Sequence, residues 1–355
     1  MRRFPTSFAA TAELVDLFRR HLELCKVKKG ESVIVFTDPW MNQHYAAAAF
    51  GAALQLGADV FIMTVPSTIG GMDPTAGSHS AVLSGRTVTE AWKNADMVIG
   101  TASPSIQWLY STAHNEALDA GTRTLMVFEP EDVLRRMFPC QEVKERSIRG
   151  AEVMTKAKTI RVTSDAGTDF VMDKTGIVGE AQYGIADVPG RWDHWPSGLV
   201  ACNVIAGSAE GTLVLGVGDI TFRLGRYFTD PVKLTLRGGK IVKIEGRADA
   251  ILLEDYFKSA RDPRAYCGPA HIGWGTDHRA QYFSLAMKYR EHGGHMDSES
   301  FMGNVQTAFG RDIFRGLGGT NDVNFHIDFP CRNCNFYLDD KLIVKNGVIV
   351  DERCK

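Results

Sequence analysis

Four short apolar runs dominate the first 150 residues: SVIVFTD (32–38), DVFIMTVP (59–66), ADMVIGTA (95–102) and RTLMVFEP (123–130). They lack the strict alternation of a half-solvated strand, so each reads as a strand covered on both faces. Between them the apolar spacing becomes helical, at 44–56, 88–94 and 112–120. Parallel strands need long crossovers, usually helical, and helices then cover both sheet faces. The pattern predicts an N-terminal layered α/β domain over residues 1–150 with a mostly parallel sheet. Leu14, Leu17, Phe18 and Leu22 place an amphipathic helix before it. That stretch has no continuous apolar core, so it does not read as a signal peptide. The Gly-, Pro- and Ser-containing stretch 67–80 reads as a long loop near a strand end. It matches neither G-x-G-x-x-G nor a P-loop.

After residue 150 the texture changes. KTIRVTSDAGTDFVMD (158–173) alternates like a hairpin, and VKLTLR and KIVKIEG flank Gly238-Gly239 as a second one. Helical spacing returns at 248–260 and 278–290, and the chain closes on extended segments containing NFHIDFP (324–330). These features predict an α+β domain over 151–355. The fold class is therefore α/β for the N-terminal part, plus an α+β domain that carries the candidate metal-binding residues.

Composition narrows the function classes. A net charge of −2 gives no reason to expect nucleic acid or an anionic membrane as partner. No apolar stretch approaches the roughly 20 residues that span a bilayer. Seven scattered cysteines suggest reduced thiols in the cytosol. Cys331 and Cys334 form a lone C-x-x-C without two further zinc ligands nearby, and without the strand-then-helix setting of a redox motif.

NFHIDFP carries the sharpest chemical signal. His326 and Asp328 are two apart on a strand and point to one face, while Ile327 points to the other. Such a pair could ligate a metal or form a satisfied core hydrogen bond. His271, in CGPAHIGWGTDHRA (267–280), is the candidate third ligand. Gly273 and Gly275 suit a chain passing close to a site. His278 reads as a surface histidine at the start of the next helix. Two histidines and a carboxylate form a facial triad that leaves positions open on Fe(II) for dioxygen and a substrate. Zinc suits the same set. A further loop, DVPGRWDHWPSG (187–198), sets Arg191, Asp193 and His194 beside Trp192 and Trp195: the tryptophans could be ordinary core anchors, or the loop could hold an aromatic substrate.

VPGRWDHWPSG, AHIGWG and HIDFPCRNCNFYLDDK, with FEPEDVLRRMFP (128–139) and SAEGTLVLGVGDI (208–220), together resemble the 2,5-dihydroxypyridine 5,6-dioxygenase family. That family is related in fold to thermophilic metallo-aminopeptidases, in which a glutamate occupies the place of His271. The resemblance implies that His271, His326 and Asp328 bind Fe(II), and that His194 is a catalytic group beside them. It implies a small hydroxypyridine and dioxygen as partners, N-formylmaleamate as product, and a cytoplasmic enzyme of nicotinate breakdown. We expect a homo-oligomer. It also implies another active-site histidine in the first domain. An ungapped count puts Tyr110 there, with His114 four residues later. The rival reading is a metallo-aminopeptidase-like hydrolase, which would need bridging carboxylates for two metals. Asp277, Glu291 and Asp297 are left for that role.

Overall fold

The apolar runs of the first half pair side by side in the computed structural model, which describes residues 8–39, 42–65, 85–102, 108–286, 295–314 and 318–355. Strands Asp59–Thr64, Ser32–Thr37, Met97–Gly100, Arg123–Met126 and Trp192–His194 form one sheet in that order. All four pairings are parallel. Met97–Gly100 and Arg123–Met126 are buried throughout. Asp59–Thr64 corrects the reading of 59–66 as covered on both faces: it is an edge strand, with Phe61 and Ile62 exposed. An edge strand can be as apolar as an interior one, so its position is not written in its own residues. The loop predicted at 67–80 lies outside the described residues.

Helices accompany these strands. Phe8–Leu24 buries Leu14, Leu17, Phe18 and Leu22, the predicted stripe. Gln43–Gln55 is capped by Asn42, whose side chain accepts from the His44 N–H. It buries five alanines, and such small side chains allow close packing. Thr112–Ala120 is capped by Ser111 and ends at Gly121 in the left-handed region.

By packing, the described residues divide into two units. One holds those up to Pro139 together with Gly184–Pro196. The other holds Cys140–Tyr183 and Ser197–Lys355. Gly184–Pro196 belongs to the first unit because Trp192–His194 is the fifth strand of its sheet.

The second unit contains an eight-stranded antiparallel sheet and a five-stranded one. The five-stranded sheet runs His326–Cys331, Val305–Gly310, His271–Gly275, Leu199–Cys202, Glu180–Gln182, every pair antiparallel. Ile327, Phe329, Phe309, Ile272, Trp274 and Val200 bury one face of it in a core shared with Val162, Phe170, Leu213, Leu234 and Phe336 of the larger sheet. Strand period two then commits residues 271, 273, 306, 308, 326 and 328 to the opposite face. Both predicted hairpins form, and Gly238 and Gly239 (φ +55° and +67°) make the turn that needs two positive φ values. The helix predicted at 248–260 is Ala248–Ser259. Of the helix predicted at 278–290, residues 287–290 lie outside the described residues, and 278–286 form no α-helix. Residues 278 and 279 are a turn, and Tyr282–Ala286 is a single 3-10 segment. Asp277 accepts from the Arg279 N–H and pairs with its guanidinium, which fixes the turn at the point where a helix would begin.

One buried histidine makes the first unit acid-sensitive. His21 is fully buried, stacks on Trp195 at 4.0 Å, and its Nε2–H donates to Gly184 O at 2.7 Å. Desolvation pushes its pKa down to about 3, against the smaller opposing effect of that hydrogen bond. The unfolded histidine titrates near 6.5. The stability it contributes is therefore complete above pH 6.5 and lost progressively as pH falls towards 3. Urea unfolding followed by tryptophan fluorescence should show wild type losing about 2 kcal/mol relative to His21→Gln between pH 7 and pH 4.5. Parallel curves would show that His21 takes up no proton on unfolding.

Candidate metal centre

The strand register brings the predicted ligands together. Ala308 lies opposite both His271 and Asp328, so the three form a row across three strands on the sheet face turned away from the core. Adjacent strands are about 4.8 Å apart, which puts the backbones of His271 and Asp328 roughly 10 Å apart. The small Ala308 side chain between them leaves room for the longer ones to meet. His271 Nε2 lies 3.0 Å from Asp328 Oδ1, and His326 Nε2 lies 3.2 Å from the same oxygen. One donor atom from each of the three falls within 4.8 Å of the others. Among the described residues this is the one such cluster of three or more His, Cys, Asp or Glu.

The hydrogen bonds constrain the donor chemistry. His326 Nδ1 lies 2.8 Å from Arg311 O. A carbonyl oxygen accepts, so Nδ1 carries a proton, and a neutral ring then presents a lone pair at Nε2. That lone pair faces a carboxylate oxygen, also an acceptor. The contact is repulsive unless a cation, either a proton on Nε2 or a metal, lies at the meeting point. His271 Nδ1 is buried with no hydrogen-bond partner among the described residues. Two imidazole nitrogens and one carboxylate oxygen suit ferrous iron, and zinc as well. Desolvation pushes the Asp328 carboxyl up, but His326 and His271 together outweigh it and hold the group well below the usual range. Asp328 is thus the anion of the cluster.

Several surrounding residues were not legible as site residues. Gln306 donates from Nε2 to Asp328 Oδ1 at 3.1 Å. Arg223 donates from Nε to His326 O at 2.9 Å, so ring and backbone of His326 are both held. His295 stacks on Phe222 at 4.6 Å, and its pKa is pushed down to about 4, chiefly by desolvation, then by Arg223, against the opposing charge of Asp328. A polar residue at an alternate position of an apolar strand, as Gln306 is in VQTAFG, is the one signal that could have marked any of them.

The glycines of AHIGWG have a different reason from the one expected. A Cβ on Gly273 would lie 1.7 Å from Val200 O, and one on Gly275 would lie 2.2 Å from Phe301 O. Close backbone neighbours demand both. His278 is half exposed in the turn, 3.7 Å from Glu142, and is not a helix residue. Asp277 is paired with Arg279, and Asp297 accepts from the Gln281 N–H. Glu291 lies outside the described residues. The Cys331 and Cys334 thiols donate to Phe329 O and Arg332 O, and burial pushes both up.

The other candidates belong to the first unit. His194 is the last residue of Trp192–His194, at the carboxyl end of a parallel strand, with Trp192 and Phe128 ring centroids 5.0 and 5.9 Å away. In open α/β sheets ligands bind beyond the carboxyl ends of strands. Asp193, fully buried, pairs with Arg191 at 2.7 Å and accepts from the His194 N–H. Residues 192–194 are thus a strand and not the loop read from the sequence, and those two charges brace the strand end that presents His194. Tyr110 ends a 3-10 segment and is half-buried. His114 is fully buried, with Nδ1 2.8 Å from Leu109 O and Nε2 2.8 Å from Thr124 Oγ1.

Comparison with known proteins gives concordant matches. The model of the 2,5-dihydroxypyridine 5,6-dioxygenase family matches residues 13–351. The 2,5-dihydroxypyridine 5,6-dioxygenase of Pseudomonas putida is 36% identical over 346 residues, covering 96% of this chain and 97% of that one. A solved structure of 2,5-dihydroxypyridine dioxygenase from Pseudomonas putida KT2440 superposes with a TM-score of 0.89 at 34% identity, over 99% of this chain and 100% of that one. AmpT from Thermus thermophilus superposes with a TM-score of 0.60 at 12% identity, over 97% and 100% of the two chains, which shows a shared fold.

Proposed function

The chain belongs to the 2,5-dihydroxypyridine 5,6-dioxygenase family, and from that premise we propose that it cleaves the ring of 2,5-dihydroxypyridine with dioxygen, using Fe(II) held by His271, His326 and Asp328. The observation that carries the metal assignment is the apposition of two imidazole nitrogens and one carboxylate oxygen at 3.0–3.2 Å. Iron(II) at this site supplies the binding and activation of dioxygen, which does not react readily with a closed-shell ring. The reaction balances without another reductant. Both oxygen atoms enter the product, the bond between carbons 5 and 6 breaks, carbon 5 becomes a carboxyl and carbon 6 a formyl group. The product is N-formylmaleamate.

The residues of the chain divide the remaining work. His326 is held by Arg311 O and Arg223, so its Nε2 stays aimed at the ligand position. Asp328 supplies the negative charge and Gln306 steadies it. The two hydroxyls of the substrate are para and cannot chelate as a catechol does, so a base must take a hydroxyl proton. We assign that proton transfer to His194. Between the two first-unit alternatives, Tyr110 suits a second proton carrier better than His114, whose nitrogens both face protein oxygens. The seven cysteines are free, which fits a reduced cytoplasmic setting. Among the described residues no helix is long and apolar enough to cross a membrane. A homo-oligomer remains part of this reading.

A dinuclear hydrolase is disfavoured by the donor set, because among the described residues the cluster holds a single carboxylate and Asp277 and Asp297 are committed elsewhere. The two readings separate after anaerobic reconstitution. We expect one Fe(II) per chain, oxygen consumption with 2,5-dihydroxypyridine, and both atoms of labelled dioxygen in the product. Two metals per chain with peptide hydrolysis and no oxygen uptake would sink the dioxygenase reading.

A further inference from the structure

Gln306 is fully buried on the same sheet face as the three candidate ligands. Its cross-strand neighbours are Gly273 and Pro330, neither of which offers a side-chain hydrogen-bonding group. Nε2 donates to Asp328 Oδ1 at 3.1 Å. The reversed amide would set an oxygen against the carboxylate, so chemistry fixes the orientation. Oε1 is then a buried acceptor with no hydrogen-bond partner among the described residues. Folded proteins rarely leave such a group unsatisfied without a reason.

The three nitrogens around Asp328 Oδ1 are not equivalent. The two imidazole nitrogens are the atoms a metal would take as lone-pair donors, and neither could then donate to Oδ1. The Gln306 hydrogen bond survives that change and sets how the carboxylate is turned. The amide also points its oxygen away from Asp328, so one side chain holds the ligand and offers an acceptor.

We propose that Gln306 is a positioning and specificity residue. Its Nε2 fixes Asp328 for the metal, and its Oε1 accepts a hydrogen bond from a proton donor on the bound ring, either a hydroxyl or the N–H of the pyridone form. The identity of the ring rests on the dioxygenase reading, whereas the hold on Asp328 does not.

Two variants, Gln306→Leu and the nearly isosteric Gln306→Met, test both parts. Affinity of the metal-free chain for Co(II), read from its visible absorption, should fall about 10–100-fold in each. Unchanged Co(II) affinity in a variant with wild-type circular dichroism overturns the hold on Asp328. The second part is read without oxygen on the Fe(II)-loaded chain. Binding is compared for 2,5-dihydroxypyridine, its N-methyl pyridone analogue and its analogue methoxylated at carbon 5. The variants should bind the parent about tenfold more weakly than wild type does. They should also lose wild-type discrimination against one analogue, which identifies the donor. Discrimination against both at the wild-type level overturns the acceptor role. A wild-type chain that binds none of the three rings overturns that role together with the dioxygenase reading, and the Co(II) result still decides the hold on Asp328.

Discussion

Asp328→Ala is expected to leave the chain folded, without bound Fe(II) and without oxygen uptake. The carboxylate is the single anion of the cluster, and both imidazoles converge on its Oδ1. Without it, two neutral nitrogens must hold a weakly binding ferrous ion alone. The loss of affinity should exceed the roughly 10–100-fold that follows removal of a group that merely orients a ligand. His326→Ala should behave likewise, since it removes the imidazole that Arg311 O orients through Nδ1. The fold should survive, because Ile327 and Phe329, on the other face of the strand, carry its packing. Metal content by elemental analysis after anaerobic reconstitution, beside circular dichroism, decides the matter. Full iron occupancy in both variants would return the pair to a hydrogen-bonded role with no part in chemistry.

Alternation made this pair visible. A strand of period two puts His326 and Asp328 on one face whatever the rest of the fold does, so two residues and one local rule suffice. His271 was harder to place, because its convergence depends on Ala308 lying opposite both it and Asp328. Register across three strands is set by the hydrophobic core beneath, and no local pattern records it. Gln306, Arg223 and His295 were missed for the same reason: each matters through a partner distant in sequence. The glycines of AHIGWG were seen but misread, since the crowding that requires them comes from Val200 and Phe301 and not from a ligand. The parallel sheet was legible from its apolar runs, and its edge was not. The order of strands decides which run is exposed, and Trp192–His194 joins the sheet from the far side of a long excursion through the second unit.

His194→Ala is expected to keep its iron, to bind 2,5-dihydroxypyridine without oxygen, and to turn over about 10²–10⁴-fold more slowly, the usual contribution of a positioned acid–base group. The expectation follows from where the residue is held. It ends a parallel strand, its backbone N–H is fixed by Asp193, and Arg191 holds Asp193 in turn. Such bracing suits a side chain that must be presented at one angle. If the imidazole removes a hydroxyl proton, the defect should appear in the single-turnover rate after mixing with oxygen, with little change in anaerobic affinity. Tyr110→Phe should show a smaller defect of the same kind. His114→Ala should act mainly through stability, because it strands the oxygens of Leu109 and Thr124 in a buried position. Loss of iron in His194→Ala would make this histidine a ligand and break the proposed triad. Normal turnover with iron retained would make the RWDHW segment structural and place the base elsewhere.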